Sequence, residues 1–191
     1  MKGVVVAAVI AAMVTAGPAA AAGGKARAVA KMKALDGTAI GTATFVATSH
    51  GVLVTFDLKG LTPGAHAIHI HTSGSCDAAS GFNTAGPHYS PDAKHTHGYL
   101  SAHGPHAGDL PNQFAASDGT LHASVMSNAF SIGDGKKSIF DRDGAALIVH
   151  AKADDYMSQP AGNAGDRVAC GVIVRTIAPG GRKRGTPRTH K

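Results

Sequence analysis

The chain contains no glutamate: all 12 of its acidic residues are aspartates. Glutamate is a good helix former and aspartate a poor one, so helix bundles and coiled coils are disfavoured. The 25 glycines and 9 prolines punctuate the 191 residues at short intervals. Short runs between frequent turns favour an all-β chain, and the length suits one domain with tails.

The formal net charge of +6 is concentrated at the ends. Arg182, Lys183, Arg184, Arg188 and Lys191 lie in the last ten positions, and Lys2 near the first. The rest of the chain has as many basic as acidic residues. No nucleic-acid partner is therefore expected; the basic tail 178–191 reads as solvated and disordered, or as a weak contact for anionic surfaces.

Residues 1–22 read as a signal peptide. Lys2 supplies the positive start, Gly3 to Val14 an apolar run too short to span a bilayer, Gly17-Pro18 a break, and Ala20-Ala21-Ala22 a small-residue cleavage site. The mature protein is then exported, periplasmic or secreted, with residues 23–27 as a flexible lead-in. Cys76 and Cys170 are the only cysteines. In an oxidising compartment they read as one disulfide, with two buried thiols as the alternative. Such a bridge would close a loop of about 95 residues, worth ~4–5 kcal/mol in the chain-entropy model.

Alternating apolar residues mark strands. Ala28 to Leu35, Thr38 to Ser49, Val52 to Leu58 and Ala65 to His71 are the first four. Phe114 to Ser117, Thr120 to Met126, Ala145 to Ala151 and Val168 to Thr176 follow. Eight short strands suggest a β-sandwich or flattened barrel. Residues 72–113 break the pattern. They are rich in Gly, Pro, Ser and His and carry little apolar periodicity, and a loop that long in a small domain is functional or disordered. Eight of the 12 histidines fall between His66 and His106, which argues for order imposed by metal. Ala153 to Asp166 is a second irregular loop.

His69 and His71 sit two apart on a strand, so their imidazoles share a face while Ile70 points the other way. His88, His97, His106 and Asp109 follow at spacings of nine, nine and three. Three imidazoles and one carboxylate form a tetrahedral zinc set, closed and structural when all four positions come from protein. His150 ends an apolar strand, where a histidine is either structural or a further ligand. His95, two residues before His97, stays open as its alternative.

Several segments together resemble copper/zinc superoxide dismutase. They are Gly64-Ala65-His66-Ala67-Ile68-His69-Ile70-His71, Ala85-Gly86-Pro87-His88-Tyr89, His106-Ala107-Gly108-Asp109-Leu110, Val149-His150-Ala151-Lys152-Ala153-Asp154-Asp155 and Gly162-Asn163-Ala164-Gly165-Asp166-Arg167-Val168-Ala169-Cys170-Gly171. The resemblance runs in order over roughly residues 28–175, and the short second loop is most similar to the exported bacterial branch. It implies an eight-stranded Greek-key β-barrel over 28–177 with two long functional loops. It implies copper held by His69, His71, His88 and His150, and zinc by His88, His97, His106 and Asp109, with His88 bridging the two. Arg167 corresponds to the arginine that guides superoxide, Asp154 to the carboxylate linking the two metal sides, His66 to a supporting histidine, and Cys76–Cys170 to the family disulfide. The oligomeric state, monomer or homodimer, stays open.

Two other readings compete. An exported copper or zinc buffer on the same fold would need the ligands but not Arg167. A copper-only relative would not need His97, His106 and Asp109. His50, His103, His122 and His190 read as surface residues, and Asp92, Asp141 and Asp143 as turn residues. Tyr156 to Gly165 carries no acidic residue, so charge steering by that loop differs from relatives with acidic ones.

Overall fold

The structure, a computed structural model, describes residues 27–176. The expected signal peptide 1–22, residues 23–26 of the lead-in and the basic tail 178–191 lie outside the described residues. Within them the chain forms nine strands. These are β1 (Arg27–Ala34), β2 (Ala39–Thr48), β3 (Gly51–Leu58), β4 (Gly64–His66), β5 (Ile68–His71), β6 (Gln113–Ala115), β7 (Leu121–Ser127), β8 (Ala146–His150) and β9 (Arg167–Thr176). The only helical pieces among the described residues are single 3-10 turns at Ala78–Ser80 and Asn83–Ala85.

Seven strands form one antiparallel sheet in the order β5-β8-β9-β1-β2-β3-β7, and β4 pairs with β6. The partnering of β3 with β7 skips three strands, and the first strand lies beside the last. This is the Greek-key connection of an all-β barrel. The curled sheet and the β4–β6 pair enclose one core, in which Ala115 of β6 joins Leu121 of β7 and Ile68 of β5.

In β1 and β3 the expected alternation holds. Ala28, Ala30 and Met32 point inward, as do Val52, Val54, Phe56 and Leu58, and the residues between them face outward. Each large apolar side chain buried in this way contributes ~1.5–3 kcal/mol.

The run Ala65 to His71, expected as one strand, is two. At Ala67 the backbone leaves β6 and turns to the segment after β8: Ala67 N–H donates to Lys152 C=O, and its own C=O accepts from His150 N–H. The side-chain alternation continues through this switch, which is why the sequence shows one strand.

Strands β5 and β8 are buried on both faces. Ile68, Ile70, Leu147 and Val149 face the core. The alternate residues of the two strands, His69, His71 and His150 among them, face the other way and are buried by the two loops. One loop is tied down by the Cys76–Cys170 disulfide, whose Cα atoms are 5.7 Å apart. It also runs along β5, where Tyr89 N–H donates to Ile70 C=O and Ile70 N–H to Gly108 C=O.

Candidate metal centre

Six of the loop and strand histidines meet in one cluster on the outer face of β5 and β8. His69, His71, His88 and His150 each bring a ring nitrogen within 4.8 Å of the others, and so do His88, His97, His106 and Asp109 with one ligand atom each. His88 belongs to both groups. Its ring centre lies 4.1 Å from that of His69 and 5.0 Å from that of His97. His95, the alternative to His97, instead lines the cavity above, whereas His97 is fully buried. His103, His50 and His122 are exposed.

The backbone and two carboxylates aim these rings. His71 Nδ1 donates to Gly86 C=O at 2.8 Å, and His150 Nδ1 to Gly165 C=O at 3.3 Å. His69 Nε2 donates to Asp154 Oδ2 at 2.9 Å, and His97 Nε2 to Asp154 Oδ1 at 2.9 Å. Asp154 thus joins the two histidine groups with its two oxygens. Gly162, at φ +67°, approaches this junction so closely that a Cβ there would collide with Asp154 Oδ1. His66 is buried beneath the site, with Nδ1 donating to His150 C=O at 2.7 Å and Nε2 facing Thr62 C=O at 2.7 Å.

What the rings leave unpaired is as regular as what they pair. His69 Nδ1, His71 Nε2, His88 Nε2, His150 Nε2, His97 Nδ1 and His106 Nδ1 are all buried without a hydrogen-bond partner. A buried polar atom left unpaired costs ~1–3 kcal/mol, so six in one place demand a partner of another kind. Four of these nitrogens fall in the first group. In the second, His97 Nδ1 lies 3.1 Å from Asp109 Oδ2 without hydrogen-bond geometry, and His106 Nδ1 3.6 Å from Asp109 Oδ1. Ring nitrogens converging on a point, five of the six braced through the other nitrogen of the ring, are what imidazole ligands of a metal require. All-imidazole donors suit copper, and three imidazoles with a carboxylate suit zinc.

The charges fit that reading. Burial lowers His88, which accordingly titrates at about 4 despite its bond to Asp109, and burial together with His69 lowers His150 to about 3. Burial also lowers His71. These rings are neutral at pH 7, the form that binds metal. His97 is pulled down by burial but raised to about 9 by the carboxylate of Asp109 beside Nδ1 and that of Asp154 hydrogen-bonded to Nε2. Burial opposes ionisation of Asp109, yet the rings of His106, His88 and His97 packed around its carboxylate, with His88 Nδ1 hydrogen-bonded to it, hold it well below the usual carboxylate range.

A cavity of about 740 Å³ opens onto the cluster, lined by His71, His88, His106, His150 and Arg167 among others. Arg167 donates from Nη1 to Phe82 C=O at 2.9 Å and from Nη2 to Gly86 C=O at 2.8 Å. The disulfide holds those carbonyls in place by pinning their loop to β9.

Sequence reasoning missed the residues that brace the loops. Tyr99 OH donates to Asp109 C=O at 2.7 Å, and Asn112 and Gln159 grip backbone groups across the site. None carries a pattern visible in sequence, although Asn112 follows directly on Asp109-Leu110-Pro111.

Comparison with known proteins places the chain among relatives of one kind. The family model described as copper/zinc superoxide dismutase matches residues 39–173. A copper/zinc superoxide dismutase of Caulobacter vibrioides is 45% identical over 148 residues, 76% of this chain and 84% of the relative. One from Aquifex aeolicus is 44% identical over 140 residues, 72% of this chain and 81% of the relative. The crystal structure of a superoxide dismutase-like protein from Bacillus subtilis superposes with a TM-score of 0.73 at 33% identity, covering 76% of this chain and 97% of that one.

Proposed function

The chain belongs to the copper/zinc superoxide dismutase family, and on that premise we propose that it converts superoxide to oxygen and hydrogen peroxide at the histidine cluster. The observation that carries this is the set of six buried, unpartnered ring nitrogens, sorted into two groups that share His88. Copper is assigned to His69, His71, His88 and His150, and zinc to His88, His97, His106 and Asp109. Bound there, copper supplies one-electron cycling between Cu(II) and Cu(I), and zinc a positive charge that does not change oxidation state.

The chain's own residues do the rest. Two superoxide anions and two protons become one oxygen and one peroxide, so the site must attract an anion twice and deliver protons. Arg167 is a permanent cation at the cavity wall. Two of its five N–H donors are spent on Phe82 and Gly86, which fixes the guanidinium and leaves the other donors for the anion. His88 keeps Nδ1 turned to Asp109 at 2.8 Å while Nε2 faces the other three rings. Nε2 is therefore the atom placed to take up and return a proton without the ring turning away. Asp154 holds the tautomers of His69 and His97.

The Cys76–Cys170 disulfide supports a site of action outside the cytoplasm, the periplasm in a bacterial host. The domain then spans 28–177, after a signal peptide over 1–22 and before the basic tail 178–191. The test is the dismutation rate of the copper- and zinc-loaded protein at low ionic strength. A kcat/KM near ~10⁸–10⁹ M⁻¹s⁻¹ is expected. A rate no better than that of adventitiously bound copper overturns the proposal and leaves a metal buffer.

A further inference from the structure

The two loops over the site hold each other through a pair of side-chain amides. Gln159, in the loop after β8, uses both ends of its carboxamide on the backbone of His97. Its Oε1 accepts from His97 N–H at 3.0 Å, and its Nε2 donates to His97 C=O at 2.9 Å. Asn112, in the loop before β6, works in the opposite direction. Its Nδ2 donates to Asp154 C=O and its Oδ1 accepts from Asp154 N–H, both at 2.8 Å. The two gripped residues, His97 and Asp154, are themselves hydrogen-bonded. Each loop thus grasps the residue by which the other loop reaches into the site.

An amide that satisfies both the N–H and the C=O of one residue acts like a rung of a β-ladder. It fixes that residue in rotation as well as position. These loop segments belong to no strand that could supply such a rung. Gln159 is itself steadied, because Nε2 also donates to Met157 C=O at 3.0 Å. His97 is consequently held at its N–H, its C=O and its Nε2, and the direction of Nδ1 follows. His71 and His150 are aimed instead by Gly86 and Gly165, so they do not depend on this amide.

We propose that Gln159 is a positioning residue for the zinc side of the centre, and that with Asn112 it forms a reciprocal latch joining the two loops across the His97–Asp154 bond. This rests on the assignment of His97 to zinc. The effect falls first on zinc: Gln159 reaches the copper side only through the shared His88 and through Asp154, which Asn112 holds independently, so copper is retained when zinc is loosened.

The test uses the full chain loaded with copper and zinc. The rate at which zinc passes to a chromogenic chelator is followed while copper retention is measured in the same samples. Gln159→Met keeps the side-chain length and loses both bonds to His97. It is expected to release zinc ~10-fold faster or more, the low end for residues supporting a metal ligand, with copper retention unchanged. Gln159→Glu keeps the acceptor and loses the donor, and falls between. Ser158→Ala loosens the same loop by removing the bond from Asn163 and leaves zinc release at the wild-type rate. Cobalt(II) in place of zinc gives visible bands that shift in Gln159→Met and not in Ser158→Ala. The proposal is overturned if Gln159→Met releases zinc at the wild-type rate, if Ser158→Ala accelerates release equally, or if Gln159→Met loses copper and zinc together. Failure of the wild-type protein to take up zinc would instead remove the zinc assignment, and this inference with it.

Discussion

Strands β3 and β5 belong to the same sheet and obey opposite rules of burial. In β3 every second residue enters the core and its neighbours face outward, among them Thr55, whose Oγ1 meets Ser124 Oγ at 2.9 Å on the outside of the barrel. In β5 all four residues are buried, Ile68 and Ile70 against the core and His69 and His71 beneath the loops. The β3 side is complete once its apolar face is covered. The β5 side hides ring nitrogens that the protein leaves without partners. Ordinary hydrophobic burial builds one wall of the barrel, and the same wall carried round to β5 and β8 becomes a platform for metal chemistry.

Changes on the two sides should therefore fail differently. The largest effect is expected from His71→Leu, which removes one of the four ring nitrogens assigned above to copper. Dismutation falls to the background of adventitious copper, while urea unfolding of the metal-free protein moves by no more than ~1 kcal/mol, because the variant also removes an unpaired buried atom. A large loss of metal-free stability would break the contrast. Phe45→Ala is the reverse case. Phe45 is fully buried in β2, and the change should cost ~3–5 kcal/mol of stability with metal content per folded molecule unaltered.

Acid sharpens the comparison next. His88 and His150 titrate at about 4 and 3 when folded without metal, against 6.5 ordinarily. Their contribution is complete above pH 6.5. It is lost as pH falls below that value, because the unfolded chain takes up protons first. His97, raised to about 9, has the opposite sign: its contribution is present below pH 6.5 and lost as pH rises through 9. The denaturation midpoint of the metal-free protein should fall on both sides of a maximum around pH 6.5. A flat profile in the wild-type protein would mean that the buried rings do not titrate as their surroundings dictate. The smallest effect belongs to Thr55→Ala, which should cost ~0.2–1 kcal/mol in the same unfolding measurement.

The β3 side was the easier to read from sequence. Its alternation is local and the turns between its strands are chemical, so all-β structure and the bounds of β1 to β3 were visible within a residue or so. The separate strands β4 and β5 were not, since the change of sheet at Ala67 leaves the side-chain pattern intact. The histidines stood out by type and spacing, because few other arrangements use so many imidazoles. Asn112 and Gln159 did not. A carboxamide in an aperiodic loop has no periodicity to betray its partner, and these partners are backbone groups that carry no sequence identity at all.

One oxygen atom ties the cation proposed to attract superoxide to a ring proposed to hold copper. The carbonyl of Gly86 accepts both from His71 Nδ1 and from Arg167 Nη2. Gly86 sits at φ +77°, where a Cβ would stand 2.6 Å from Thr72 Oγ1, so no other residue fits there without displacement. The His71 ring and the Arg167 guanidinium are thereby surveyed from a single benchmark. The barrel strands β5 and β9 fix where the two side chains start, and the one loop carbonyl fixes where both tips are aimed, so a shift of that carbonyl re-aims ring and guanidinium together.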